Sequence, residues 1–225
     1  WEHQEDGSDR LRRETVYLPT YEYTVNGRTY RYASRQTLSG KRELGRQVFD
    51  EMTQRHGDLG LVLKVSRIYR DARRIHGRGP YKDHLWFTIE RPHERFEGVP
   101  ALYFELAPNY FSYGCGYWDA SPATMAKLRR RIETDPKRLE KLVRKLNKSR
   151  FTLSGEQFKR PKGDVGKLLN PWYNAKNIAV GYDDNPEGVL FTPELKDEVL
   201  AGFRELMPLY LYLDSLAGDP EPNKE

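Results

Sequence analysis

The amino-acid sequence predicts an α+β fold, in which an antiparallel β-meander sheet is covered on one face by helices and an N-terminal β-hairpin forms an appendage. Three observations lead to this prediction. Apolar and polar residues alternate in four successive segments between 61 and 118, as they do in strands with one buried face. Apolar residues then recur three and four positions apart after Ser-Pro, Asp-Pro and Thr-Pro, as in amphipathic helices. A tyrosine-rich stretch around Asn-Gly precedes both.

The first expected element is the tyrosine-rich stretch 16–33. Aromatic residues alternate with polar ones on both sides of Asn26-Gly27. Both residues of an Asn-Gly turn accept the positive φ angles that a tight hairpin needs. We therefore expect a β-hairpin here, followed by a helix over about 43–55.

The sheet is expected to contain four or five strands. The alternating segments are 61–71, 84–90, 101–107 and 110–118. In the first of them the alternation continues to Asp71, so the strand is expected to end in Arg67-Ile68-Tyr69-Arg70-Asp71. The connections between the last three segments are short, which favours antiparallel neighbours.

Two successive helices, a polar loop and a last helix are expected after the sheet. Ser121-Pro122 and Asp135-Pro136 each supply an N-cap residue and a proline at the first helical position, and Thr192-Pro193 opens the last helix. The polar loop is expected to contain 159–164, 166–177 and 182–188. The whole pattern divides the chain into an N-terminal extension with the hairpin (1–47), an α+β domain (48–216) and a disordered tail (217–225).

Composition limits the class of protein. The chain has 225 residues, a mean hydropathy of -0.85 and 32% charged residues, which is typical of a soluble protein. It has no apolar run near the ~20 residues of a membrane span and no signal-peptide pattern. Cys115 is the only cysteine, so we expect no internal disulfide and a cytoplasmic location. The net charge of +5 permits contacts with polyanions without requiring them.

Residues 67–84 carry a family resemblance. Arg67-Ile68-Tyr69-Arg70-Asp71, then Pro80-Tyr81-Lys82 and His84, resemble the signature of DUF2461, a widespread bacterial family of unknown function. Similar positions continue at Tyr103-Phe104-Glu105, Gly114-Cys115-Gly116, Ser121-Pro122, Lys159-Arg160-Pro161, Asn170-Pro171-Trp172 and Lys176. The resemblance covers about 48–216 and implies an α+β domain without an established activity. The helix with which family members usually begin has no recognisable counterpart.

The stretch 64–84 is the leading candidate for a binding site, because it holds seven Lys and Arg against two Asp. Guanidinium groups bind phosphate or carboxylate oxygens in pairs and stay charged when partly buried. The alternative is a solvated strand edge that discourages pairing with other chains. No nucleotide-binding glycine motif is present. The candidate residues for a small anionic ligand are Arg67, Tyr69, Arg70, Arg73, Tyr81, Lys82 and Lys176.

His84 is the candidate for acid/base catalysis. It shares a predicted strand face with Trp86, and Glu105 on the next strand could orient its imidazole. The alternative is a half-buried histidine that serves structure. We expect no metal site, because the histidines lack HxxxH or HExxH spacing, and no cofactor.

The helices over 121–148 support a second hypothesis. Residues 127–150 hold eleven Lys and Arg against three acids, so a nucleic acid or a protein partner could bind along them. Lys and Arg are also the ordinary outward residues of amphipathic helices, and no nucleic-acid reader motif is present. Binding of a small anion therefore remains the leading hypothesis, while the sequence determines neither a reaction nor an oligomeric state.

Overall fold

The computed structural model describes residues 20–25, 28–33, 38–67, 69, 82, 84–93 and 99–221, with side chains from 41 onward. Residues 1–40 and 41–225 form two compact units. In the first unit, β1 (Thr20–Val25) and β2 (Arg28–Ala33) pair antiparallel. Val25 lies opposite Arg28, so only two residues join the strands, as predicted from the Asn-Gly pair.

The second unit is built on a six-stranded antiparallel sheet. Its strands are β3 (Val62–Val65), β4 (Leu85–Glu90), β5 (Pro100–Leu106), β6 (Phe111–Tyr117), β7 (Thr152–Ser154) and β8 (Ala179–Asp184). They lie in the order β3-β4-β5-β6-β8-β7. The first four form the predicted meander, and the last two extend it beyond β6.

The strands β7 and β8 correct the prediction of a polar loop before the last helix and of four or five strands in the sheet. β8 pairs with β6, where Val180 lies opposite Cys115 and both side chains are buried. β7 has only three residues and pairs with β8. Both strands depend on partners distant in sequence, and the local pattern around them is dominated by polar and turn-forming residues.

Five helices complete the second unit or lead into it: α1 (Leu38–His56), α2 (Pro122–Thr134), α3 (Pro136–Leu146), α4 (Asn170–Tyr173) and α5 (Glu194–Asp214). Ser121 caps α2 as predicted, because its hydroxyl accepts the Thr124 N–H at 3.1 Å. α3 also begins at its proline, but the side chain of Asp135 makes no capping hydrogen bond.

The core lies between one face of the sheet and the helices, as the α+β prediction requires. Phe87, Phe104 and Phe111 form a row of neighbouring rings on this face, with centroids 5.4 and 6.3 Å apart. α1 packs closely here, since a Cβ atom at Gly45 would lie 3.3 Å from the Phe87 ring. α5 contacts β5 and β6. The opposite face of the sheet is called the polar face below.

The first residues of the expected tail have partners on α2. Arg131 pairs with Asp219 at 2.5 Å, and Lys127 pairs with Glu221 at 2.8 Å. The chain is thus held against α2 as far as residue 221. None of the helices in the described ranges is long and apolar enough to cross a membrane.

Candidate functional site on the polar face

The strand register places a row of polar and aromatic residues across the polar face. Glu105 lies opposite Trp86 on one side and Ser112 on the other, and Ser112 lies opposite Asp183. Ser66 continues the row beyond Trp86, because its N–H donates to the Trp86 carbonyl at 2.8 Å. Since neighbouring strands lie about 4.8 Å apart, this polar row is about 19 Å long.

Ser66 interrupts the pairing of β3 with β4. In an antiparallel hydrogen-bonded pair, each residue donates its N–H to the partner's carbonyl. Here the Trp86 N–H donates instead to Ser66 Oγ, at 2.9 Å. The Ser66 carbonyl is therefore left for another donor. β3 ends at Val65, earlier than the predicted continuation through Arg67.

The donor that takes this carbonyl is Lys41 of α1. Its Nζ lies 2.9 Å from the Ser66 carbonyl oxygen and 2.9 Å from Ser66 Oγ, and the residue is only 5% exposed. Burial, together with the positive charges of Arg42 and Lys82, lowers the pKa of Lys41 from 10.5 to about 8. No carboxylate from the described part of the chain contacts this ammonium.

Lys82 brings a second charge to the same corner of the sheet. Its Nζ lies 5.7 Å from the centroid of the Trp86 ring, within the range of a cation–π contact. Trp86 is half-buried and is the residue whose N–H bonds to Ser66. Two lysines, a serine and a tryptophan from three parts of the sequence therefore meet at one end of the polar row.

Tyr103 lies flat on the middle of the polar face. A Cβ atom at Gly181 would lie 2.3 Å from its hydroxyl oxygen, and one at Gly114 would lie 2.8 Å from its Cε1, so the ring rests on bare backbone. The hydroxyl lies 3.4 Å from Ser112 Oγ. Burial is the main reason why the pKa of Tyr103 is raised, so the phenol stays protonated at neutral pH.

A separate polar cluster lies at the far end of β4. Glu90 Oε1 is 2.9 Å from His93 Nε2 and 2.5 Å from Lys64 Nζ, and the side chains of Glu90 and His93 are each 8% exposed. The His93 imidazole thus lies beside a carboxylate, a pair that the sequence analysis did not predict. Lys64 pairs with the buried carboxylate across β3 and β4, so the charge of Glu90 is compensated.

A family model described as conserved hypothetical protein (DUF2461) matches residues 24–212. The chain belongs to the DUF2461 family. The match begins within β1, so it extends further towards the N-terminus than residue 48, where we placed its start. No curated protein matches the chain.

The structure describes only some of the residues that we expected to bind a ligand in this DUF2461 domain. Arg67 and Tyr69 are exposed, at and just beyond the end of β3, and Lys82 lies at the corner already described. The remaining residues of the basic run that we expected to bind a ligand fall outside the described residues: Arg70, Arg73 and Tyr81.

His84 lies just before β4, on the same side of the sheet as Trp86 by strand alternation. Glu105 is directly opposite Trp86, so His84 and Glu105 are diagonal neighbours in the register. Diagonal positions are about 7–8 Å apart, which long side chains can span. The catalytic roles of His84 and Glu105 stay a prediction.

Lys176 is placed away from the other candidates. Its Nζ pairs with Glu156 at 2.6 Å, and it precedes the first residue of β8. The register aligns Ala179, the first residue of β8, with Glu90, the last residue of β4. Lys82 and His84 instead precede Leu85, the first residue of β4. Lys176 is therefore at the opposite end of the sheet and three strands away from them.

Part of the positive charge of the basic helix α2 is paired within the protein. Lys127 and Arg131 pair with acids of the C-terminal segment, and the Arg129 guanidinium donates to the Tyr173 carbonyl at 3.1 Å. These contacts use part of the hydrogen-bonding capacity of the three side chains within the protein. The structure thus adds nothing in favour of the second hypothesis.

Neither a metal centre nor a thiol nucleophile is apparent in the described ranges. No three His, Cys, Asp or Glu side chains there are grouped to hold a metal ion. Cys115 is fully buried, and burial raises the pKa of its thiol, so it remains protonated. The sequence analysis missed Lys41 and Ser66. Their pairing joins residues 25 positions apart, for which no local pattern exists.

Proposed function

We propose that this domain binds a small anion bearing phosphate or carboxylate at a basic corner, defined as Lys41, Arg42, Ser66, Arg67 and Lys82. The position of Lys41 carries the proposal. A charged group moved from water into a protein interior loses several kcal/mol of hydration unless an opposite charge compensates it. Ser66 offers two neutral oxygens, and among the described residues the charges that act on Lys41 are positive. An anion between the two lysines would supply the compensation.

Residues close in sequence to the basic corner supply further groups that could bind an anion. Arg67 follows Ser66 directly and is exposed. Arg70 and Arg73 continue the same basic run, and Tyr69 and Tyr81 accompany it. Guanidinium groups bind two oxygens of a phosphate or carboxylate at once, which a lysine alone cannot do. We therefore propose Arg67, Tyr69, Arg70, Arg73 and Tyr81 as further residues that bind the anion.

The polar row offers a place for the rest of the ligand. Trp86 is adjacent to Ser66, and Glu105 lies across from Trp86. An organic group attached to the anion would lie against the Trp86 ring and extend towards Glu105. We propose His84 and Glu105 as the acid/base residues for a reaction at that group, because general acid/base catalysis needs such side chains within hydrogen-bond reach.

Thermal unfolding with added anions tests the proposal. Inorganic phosphate comes first, followed by a panel of phosphorylated and carboxylate metabolites. A ligand at one hundred times its Kd stabilises the folded state by about 2.7 kcal/mol, which raises the Tm of a domain of this size by about 5–10 °C. The double variant Arg67→Ala/Lys82→Ala should lose most of this shift.

Lys141→Ala is the matched control, because Lys141 is exposed on α3 and remote from the corner in sequence. It should keep the full shift. The proposal fails if no anion stabilises the parent protein more than sodium chloride of equal ionic strength does. It also fails if the double variant and the control respond alike.

A further inference from the structure

The surroundings of Lys41 suggest a covalent role for its amine. We infer that Lys41 forms an imine with an aldehyde or ketone that carries a carboxylate or phosphate group, an inference that rests on the anion binding proposed above. The geometry behind it is a buried lysine nitrogen fixed by two contacts to Ser66, with Lys82 and Arg42 nearby to hold the anionic group. Lysine amines in other proteins become nucleophiles when they are desolvated or placed beside another cation.

The amine must be neutral to attack a carbonyl carbon. With a pKa of about 8, about a quarter of Lys41 is neutral at pH 7.5, against about one part in a thousand for a lysine with the ordinary value of 10.5. Among the described residues, the charged groups that act on Lys41 are Arg42 and Lys82, and both favour the neutral form. Ser66 is uncharged and fixes the position of the nitrogen in either form.

Ser66 can assist the reaction through its hydroxyl hydrogen. Its Oγ accepts the Trp86 N–H and lies 2.9 Å from Lys41 Nζ. When both of these groups donate to Oγ, the hydroxyl hydrogen is available for a third group. The oxygen of a carbinolamine formed at Lys41 would lie one bond beyond the new C–N bond, within reach of that hydrogen.

The step balances without an added oxidant or reductant. The Lys41 nitrogen bonds to the carbonyl carbon, and one water leaves with the carbonyl oxygen and the two amine hydrogens. Protonation of the imine then restores one N–H, which can donate to the Ser66 carbonyl as the ammonium does now. The contact that orients the free amine would thus orient the product as well.

Labelling with pyridoxal 5′-phosphate and with pyridoxal tests the inference. Both probes carry the same aldehyde, but only the first carries phosphate. Each is incubated with the full chain, the imine is reduced with borohydride, and the modified residue is located by peptide mass spectrometry. We expect the phosphate probe to label Lys41 at least about tenfold faster than the exposed Lys141, because burial favours the neutral amine of Lys41 and the nearby cations Arg42 and Lys82 hold the phosphate. Pyridoxal should label Lys41 more slowly, and inorganic phosphate should compete.

Lys41→Arg separates this inference from the proposed function. Arginine keeps the positive charge but forms no imine, so the variant should lose the label and keep a thermal shift with phosphate. If the parent shows the phosphate shift but Lys41 is labelled no faster than Lys141, the imine is refuted and anion binding stands. If pyridoxal labels Lys41 as fast as its phosphate does, the anionic substrate class is refuted.

Discussion

Lys41→Met should reveal the cost of burying an ammonium group. Methionine has a similar length and fills irregular apolar space, so the substitution mainly removes charge and hydrogen bonding. The pKa of Lys41 is about 8 in the folded protein and 10.5 as the ordinary value. Between these values the unfolded chain holds a proton that the folded protein has lost. The unfolded state therefore binds more protons, and the stability of the parent rises with pH across this window.

The expected change in stability follows from the difference between these two pKa values. Lowering the pKa from 10.5 to about 8 corresponds to about 3 kcal/mol between the two protonation states. This cost is present below pH 8 and disappears by pH 10.5. The variant has no such term, but it leaves the Ser66 carbonyl without its donor, at a cost of about 1–3 kcal/mol that depends little on pH. At pH 7 the two proteins should therefore be about equally stable.

Urea unfolding of the parent and the variant at several pH values measures this difference. The free energy of unfolding of the parent minus that of Lys41→Met should increase by about 3 kcal/mol between pH 7 and pH 10.5. Lys141→Met is the control, and its profile should run parallel to that of the parent, because Lys141 is exposed. Parallel profiles for Lys41→Met as well would refute the physical reasoning about this corner.

Three further substitutions test the structure around the site. Ser66→Ala should lower the free energy of unfolding by about 2–4 kcal/mol, because the Trp86 N–H loses its acceptor; chemical denaturation measures it, and a loss below about 0.5 kcal/mol would contradict the contact. Gly114→Ala should destabilise by more than about 3 kcal/mol or prevent folding, since its Cβ would lie 2.2 Å from the Val180 carbonyl oxygen; a soluble variant with the parent Tm would disprove this close approach. Arg131→Ala should cost about 2–3 kcal/mol and speed proteolysis of the C-terminal segment, which unchanged cleavage would rule out.

The strands that could be predicted from the sequence are those with a strong local pattern. In β4, Phe87 and Ile89 alternate with half-buried residues, and the structure buries both completely. A period of two residues reports such burial directly. β8 was missed although Val180 is buried in the same way. Ile178, Val180 and Tyr182 alternate with Ala179 and Gly181, but this short pattern lies in a stretch rich in polar and turn-forming residues, and its partner β6 is more than 60 residues earlier.

The site was predictable only in part, for the same physical reason. Alternation along β4 and β5 correctly assigns Trp86 and Glu105 to one face, because side-chain direction is a local property of a strand. The pairing of Lys41 with Ser66 depends on how α1 approaches the end of β3. The helical period does place Lys41 on the buried face of α1, since it lies four, seven and eleven residues before the buried Gly45, Val48 and Met52. The sequence analysis missed this because its predicted helix began at about residue 43.

The two proposed roles of Lys41 make opposite demands on its charge. Anion binding favours the ammonium, since a counter-ion stabilises that form, so phosphate affinity should fall as the pH rises through about 8. Attack on a carbonyl needs the neutral amine. An ordinary lysine would bind the anion but hardly react, and a lysine with a much lower pKa would react but scarcely attract the anion. With a pKa near 8, both forms are populated at neutral pH. Burial beside Ser66 and two cations gives this value, so the same corner can first attract the anionic group and then present the nucleophile.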